Sequence, residues 1–173
     1  MLKPWFQRTF GDSPDLIFPA ILERLTDTPL RVSHKLVQIE PMYFPIQENE
    51  KWSIQEHLGH LADIEPLWIG RVDDILNNET EYLRSWDLEN KSVVENGYND
   101  MMMEEIVELF YERREQFVAK LKTVQSTDLQ KVALHPRLKT PMTIAELAFF
   151  VAEHDDHHLA TITQLDPSND YTP

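Results

Sequence analysis

The chain has 173 residues, 42% hydrophobic and 27% charged, the proportions of an ordinary globular protein, which excludes wholesale disorder and collagen-like structure. Its formal charge is −14, and protonating all seven histidines would only halve it, so nucleic acid and anionic membrane surfaces are poor partners. Four glycines, with no GxGxxG or GxxxxGK[ST] run, disfavour phosphate-cradling loops and turn-rich β folds; zero cysteines exclude disulfides, thiolate metal sites and a cysteine nucleophile.

The length suits one domain over 1–173, ending in a polar tail from about residue 166. Met1 to Phe6 lacks the apolar core of a signal peptide. The longest apolar run, Leu147 to Ala152, is far short of the roughly 18 residues of a membrane span. A cytoplasmic protein follows as the simplest expectation.

Four helices are predicted in chain order. The first is expected in pieces, because proline breaks it: Ser13 caps a lead-in containing Pro14 and Pro19, and a second segment runs from about Pro29 to Ile39. Residues 40–50 are a connection. The second helix opens on a capping box at Ser53 and Glu56 and reaches about Leu76, with Ile54, Leu58, Leu61, Trp68, Val72 and Ile75 forming its apolar stripe. The polar stretch 79–99 is long for a loop and reads as a crossover along a bundle.

The third helix is expected to be capped by Asp100 and to carry Ile106, Leu109, Phe110, Phe117 and Leu121 inward. Its Glu104, Glu105, Glu108, Glu112 and Glu115 form a solvated acidic face, partly balanced by Arg113 and Arg114. The fourth helix opens on a second capping box, Thr143 with Glu146, and runs to about Leu165. The fold class is therefore all-α, with four long helices.

Chemistry concentrates in the histidines. At about 100° per residue, His154 and His158 project about 40° apart on the apolar face of the fourth helix, a spacing that suits two imidazoles on one metal ion. The same wheel places His157 at the edge and Asp156 outward. Asp155 lies nearer the inside, either orienting a ligand imidazole or flanking it in solvent. On the second helix, His57 lies about 50° and His60 about 110° from the apolar centre, so periodicity prefers His57 as a partner. An inward HxxxH pair by itself fits a metal site or two hydrogen-bonded core histidines equally well.

The run from Trp52 to Glu65, WSIQEHLGHLADIE, resembles the second-helix motif of the DinB-like (YfiT-like) metal-dependent family, and the family histidine matches His60. The run Thr140 to Leu147, leading into Glu153-His154-Asp155-Asp156-His157-His158, resembles its fourth-helix motif, whose first and last histidines match His154 and His158; His135-Pro136-Arg137-Leu138 is also similar. Thr161 departs from the family, which often has Gln there. The resemblance implies a four-helix bundle with a long crossover between helices 2 and 3. It also implies a divalent metal held by His60, His154 and His158 at one end of the core, and a homodimer. Three nitrogen ligands leave positions open to water or substrate, and zinc, nickel and iron all accept imidazole.

Glu65 falls on the inner stripe about one turn beyond His60, where it could serve as a general base or sit in a helix–helix salt bridge, the commoner fate of such a carboxylate. Asp63 is expected at the surface. Trp52, Trp68 and Trp86 are expected as core or interface anchors, and His34 and His135 as structural residues. The expected function is a metal-dependent transferase or hydrolase acting on a small electrophile, with water or a borrowed low-molecular-weight thiol as nucleophile. The competing expectation is a stress-related bundle that binds metal or ligand without catalysis.

Overall fold

A computed structural model of the chain describes residues 14–48, 51–77, 80–87 and 89–168; the expected Ser13 cap and the end of the polar tail lie outside them. Four long helices, α1 (Pro14–Leu36), α2 (Ile54–Asn77), α4 (Met103–Lys122) and α5 (Ile144–Leu165), build the bundle. A short helix, α3 (Lys91–Glu95), lies in the crossover, and a two-residue hairpin, β1 (Ala133–Leu134) with β2 (Pro141–Met142), precedes α5.

Both capping boxes form. Glu56 accepts from the Ser53 amide at 2.7 Å while Ser53 Oγ accepts from the Glu56 amide at 3.1 Å. Glu146 and Thr143 make the same reciprocal pair at 2.8 and 3.2 Å. At α4 the cap is Met102, whose amide is held by Glu105, and Asp100 falls instead in a 3-10 turn, Tyr98–Asp100, that ends the crossover.

The first helix is one piece, not two: α1 runs through Pro19 and Pro29 without a break. A proline inside a helix leaves the carbonyl four residues back without its amide. For Pro29 that carbonyl is Leu25 O, and Arg114 Nη1 donates to it at 3.4 Å. The same device serves Pro66 inside α2, whose orphaned carbonyl, Ala62 O, accepts from Arg113 Nη1 at 2.9 Å. The two neighbouring arginines of α4, expected to balance its acidic face, are thus turned inward to repair the helices they pack against.

Cross-helix pairs fix the directions. Thr28 meets Asp155 and Lys35 meets Thr163, so α1 and α5 run parallel. Glu65 meets Arg114 and Asp73 meets Lys120, so α2 and α4 also run parallel, which forces their connection to travel the length of the bundle. That connection is anchored to the polar flank of α2. Gln55 Nε2 donates to Tyr98 O and Met101 O at 2.9 and 2.8 Å. Tyr98 Oη donates to Asp63 at 2.6 Å over Gly59, where a Cβ would collide with the tyrosine ring. Asp63, expected at the surface, is therefore the crossover's anchor. Farther back, the Leu83 amide donates to Leu134 O at 2.9 Å and the Leu134 amide to Glu81 O at 2.8 Å, which ties the crossover to the hairpin.

The core forms two apolar clusters. One gathers Leu25, Trp68, Val72, Phe117, Leu121, Ile144 and Val151; the other gathers Val32, Leu58, Leu61, Ile106, Phe110, Leu159 and Ile162. Where they part, a polar layer crosses the bundle: Thr28, Glu65, Arg114 and Asp155, none more than 1% exposed. Arg114 donates to Glu65 Oε1 from Nε at 2.9 Å and to Asp155 Oδ1 from Nη2 at 2.9 Å, so with Leu25 O it touches all three other long helices. Removing it would strand two buried carboxylates. Arg114→Ala should therefore lower the unfolding free energy by about 3–5 kcal/mol in urea titration. Arg24→Ala, which loses part-buried pairs to Glu153 and Asp156, should cost less, about 1 kcal/mol.

Candidate metal centre

The histidines sit beside this polar layer, buried on the second and last long helices. On α5, His154 and His158 are 4% and 5% exposed, one turn apart; His157, expected at the edge, is exposed, and Asp156, expected outward, is part-buried between Arg24 and Arg31. On α2, His57 and His60 are both buried, and the choice between them that the helical wheel posed becomes a division of positions. His60 Nε2 lies 3.2 Å from His154 Nε2, which lies 3.1 Å from His158 Nε2. His57 meets His158 on its other side, Nδ1 to Nδ1 at 2.8 Å.

The inward turn of His60 has a local cause. Residues 57–62 of α2 are all buried, because Trp52 covers its first turn and the crossover its flank, so the helix has no solvent face there. Trp52 lies over the cluster with its ring centre 5.0 Å from that of His60 and 5.5 Å from that of His57. Trp68 meets His154 edge-on at 5.7 Å, and Phe150 and His135 extend the aromatic wall. Of the tryptophans expected as core or interface anchors, Trp68 is buried and Trp52 and Trp86 are partly buried against the core; Trp52 and Trp68 also wall the site. His135 is the structural residue it was expected to be, its Nδ1 accepting from the amides of Arg137 and Leu138.

The donor set suits a metal ion. Burial holds His57 and His60 down to about 4 and pushes His154 and His158 well below their ordinary value, so all four rings are neutral and carry lone pairs at neutral pH. Nitrogens about 2.0–2.1 Å from one tetrahedral ion lie about 3.3 Å apart, close to the two Nε2 separations. Ligand atoms of His60, His154 and His158 all lie within 4.8 Å of one another, and among the described residues no carboxylate joins them.

The acidic residues are engaged elsewhere. Asp155, a candidate to orient an imidazole, is bound to Arg114 and to Thr28 Oγ1 at 3.2 Å. Glu65 lies in the helix–helix salt bridge, fully buried; burial raises its carboxyl to about 7 against the opposing pull of Arg114. Sequence reasoning missed Arg114 as their common partner. The signal was present in its spacing, since 110, 114, 117 and 121 form one inward stripe with an arginine among hydrophobic residues.

Comparison with known proteins agrees with this architecture. The family model described as the DinB superfamily matches residues 17–162. The chain belongs to the DinB superfamily. Among solved structures, this DinB chain is similar to YfiT from Bacillus subtilis, described as a probable metal-dependent hydrolase with an unusual four-helix bundle topology. The TM-score is 0.78 at 19% identity, over 99% of this chain and 95% of that one. It is also similar to the mycothiol-dependent maleylpyruvate isomerase, with a TM-score of 0.69 at 12% identity, over 94% of this chain and 65% of that one. No match is found among curated proteins. No helix among the described residues of the DinB chain is long and apolar enough to cross a membrane.

The buried neutral imidazoles carry a pH signature. A base whose folded pKa is depressed binds fewer protons in the fold than in the unfolded chain, so its contribution is complete above about pH 6.5 and is lost as pH falls toward 4. His135, held down to about 4 by burial and then by Arg71, adds to this. Metal-free protein should lose at least about 2 kcal/mol between pH 7 and pH 5 in urea unfolding. A flat profile would mean that these rings are hydrated.

Proposed function

We propose that the chain is a metal-dependent enzyme in which His60, His154 and His158 hold one divalent ion, and that it transfers a thiol or water to a small electrophile. The observation that carries this reading is the meeting of three uncharged Nε2 atoms from two helices in a buried, aromatic-walled place. A three-imidazole set leaves coordination positions for exogenous groups, whereas closed structural zinc sites use four protein ligands. When bound, such an ion supplies Lewis-acid activation of a nucleophile or of a substrate oxygen.

The residues divide the remaining work. His60, His154 and His158 are the ion's holders, and their neutrality leaves the ion's charge undiminished. Trp52 and Trp68 keep water from the rings. Glu65 stands in this reading as the countercharge of Arg114, which holds α5 in the rotation that presents His154 and His158, rather than as a base. The nucleophile comes from outside the chain: there is no cysteine, and the relatives include a probable hydrolase and a mycothiol-dependent isomerase. Water and a low-molecular-weight thiol are the two candidates.

Metal content and turnover test this. Untagged protein loaded with zinc, nickel or iron(II) and desalted should retain about one ion per chain, and His154→Ala, His158→Ala and His60→Ala should retain almost none. Turnover of an electrophile panel should then appear with water alone or only with added glutathione, bacillithiol or mycothiol. Unchanged metal content in the three variants would overturn the site. Metal retention without turnover under any condition would instead support the non-catalytic binding bundle.

A further inference from the structure

We propose that His57 is a positioning residue for the centre: it accepts the Nδ1 hydrogen of His158 and so fixes the tautomer whose Nε2 lone pair faces the ion. This rests on the three-histidine metal reading above. His158 has its two ring nitrogens committed to different neighbours, Nε2 to His154 at 3.1 Å and Nδ1 to His57 Nδ1 at 2.8 Å. Both contacts are buried, so water does not substitute for either partner.

A neutral imidazole carries one ring hydrogen, and a nitrogen–nitrogen contact of 2.8 Å holds one hydrogen between its members. Two arrangements satisfy it. If His57 donates, His158 carries its own hydrogen on Nε2, aimed at the centre, and cannot ligate. If His158 donates from Nδ1, its Nε2 offers a lone pair to the ion, and His57 carries its hydrogen on Nε2. Only the second is compatible with metal, and metal-bound histidines as a rule donate their remaining N–H to a carboxylate, a backbone carbonyl or water. The acceptor that the helical wheel nominates, Asp155, is taken by Arg114 and Thr28. His57 is the acceptor at hydrogen-bond distance instead.

The ring of His57 is itself held. Its amide donates to Ser53 O at 3.0 Å in the first turn of α2, which the Ser53–Glu56 capping box pins. The Trp52 ring packs against it at 71°. Helix α2 thus supplies one ion holder, His60, and one turn earlier the group that orients a holder on α5. Because His57 is neutral, unlike the carboxylate that often fills this role, it orients His158 without adding negative charge behind the ion.

The test uses Co2+ as the probe on the full chain. Visible absorption during chelator competition reads affinity and coordination for the wild type, His57→Phe and His57→Gln. Long-range 1H–15N spectra of the zinc-loaded wild type read which nitrogen of His158 carries hydrogen. The expected result is Co2+ binding weakened by about 10–100-fold in His57→Phe, with the ligand-field bands unmoved. Most of the affinity should return in His57→Gln, whose amide oxygen can accept the same hydrogen, and the wild-type spectra should show His158 protonated at Nδ1. Equal Co2+ affinity in folded His57→Phe overturns the inference and leaves the metal reading standing, as does an unprotonated His158 Nδ1 in the wild type, a result independent of how the variants fold. Bands shifted in His57→Phe would make His57 a ligand and overturn it too. No Co2+ binding by the wild type overturns the metal reading itself.

Discussion

The structure depends on one buried guanidinium. Arg114 stands on α4, 1% exposed, and bonds Glu65 of α2, Asp155 of α5 and the Leu25 carbonyl of α1. Burial opposes its charge, but Asp155 and Glu65 together hold it protonated. Such an ion cluster is weak as a source of net stability and strong as a source of definition, because any rotation or shift of a helix leaves a charge in the core without its partner. Asp155 and His154 are adjacent in sequence, so fixing the carboxylate toward Arg114 also fixes the azimuth at which α5 delivers His154 and His158 to α2. The guanidinium is in this sense the scaffold of the candidate centre, although it bonds none of the imidazoles.

The same arginine pair explains how proline-containing helices serve as bundle members. Pro29 and Pro66 each orphan a carbonyl, and Arg114 and Arg113 each donate to one. Tertiary hydrogen bonds thereby replace the local bonds that proline forbids.

Much of this was legible from residue patterns, and the exceptions share a cause. The capping boxes at Ser53 and Thr143, the inward pair His154 and His158, the crossover and the four-helix class all follow from local spacing, and the structure contains them. Sequence patterns failed where a long-range bond overrides a local rule. Proline predicts a broken first helix because nothing local reveals Arg114 below it. Asp63 reads as a surface residue, and Asp155 as an imidazole's partner or a solvated flank, because Tyr98 and Arg114 lie 35 and 41 residues away. The wheel set His57 against His60 because it assumes one buried face; Trp52 and the crossover bury α2 all round at that level, and both rings turn in. The net charge of −14 is equally uninformative about the site, where neutral imidazoles gather and the buried carboxylates Glu65 and Asp155 are spent on an arginine.

The central claim is that His60, His154 and His158 hold an ion with positions left open. X-ray absorption at the zinc edge of zinc-loaded protein tests it most directly. The account predicts three imidazole nitrogens at about 2.0–2.1 Å together with one or two oxygen scatterers from exogenous groups. A shell of four imidazoles, or one made of oxygens alone, would contradict it.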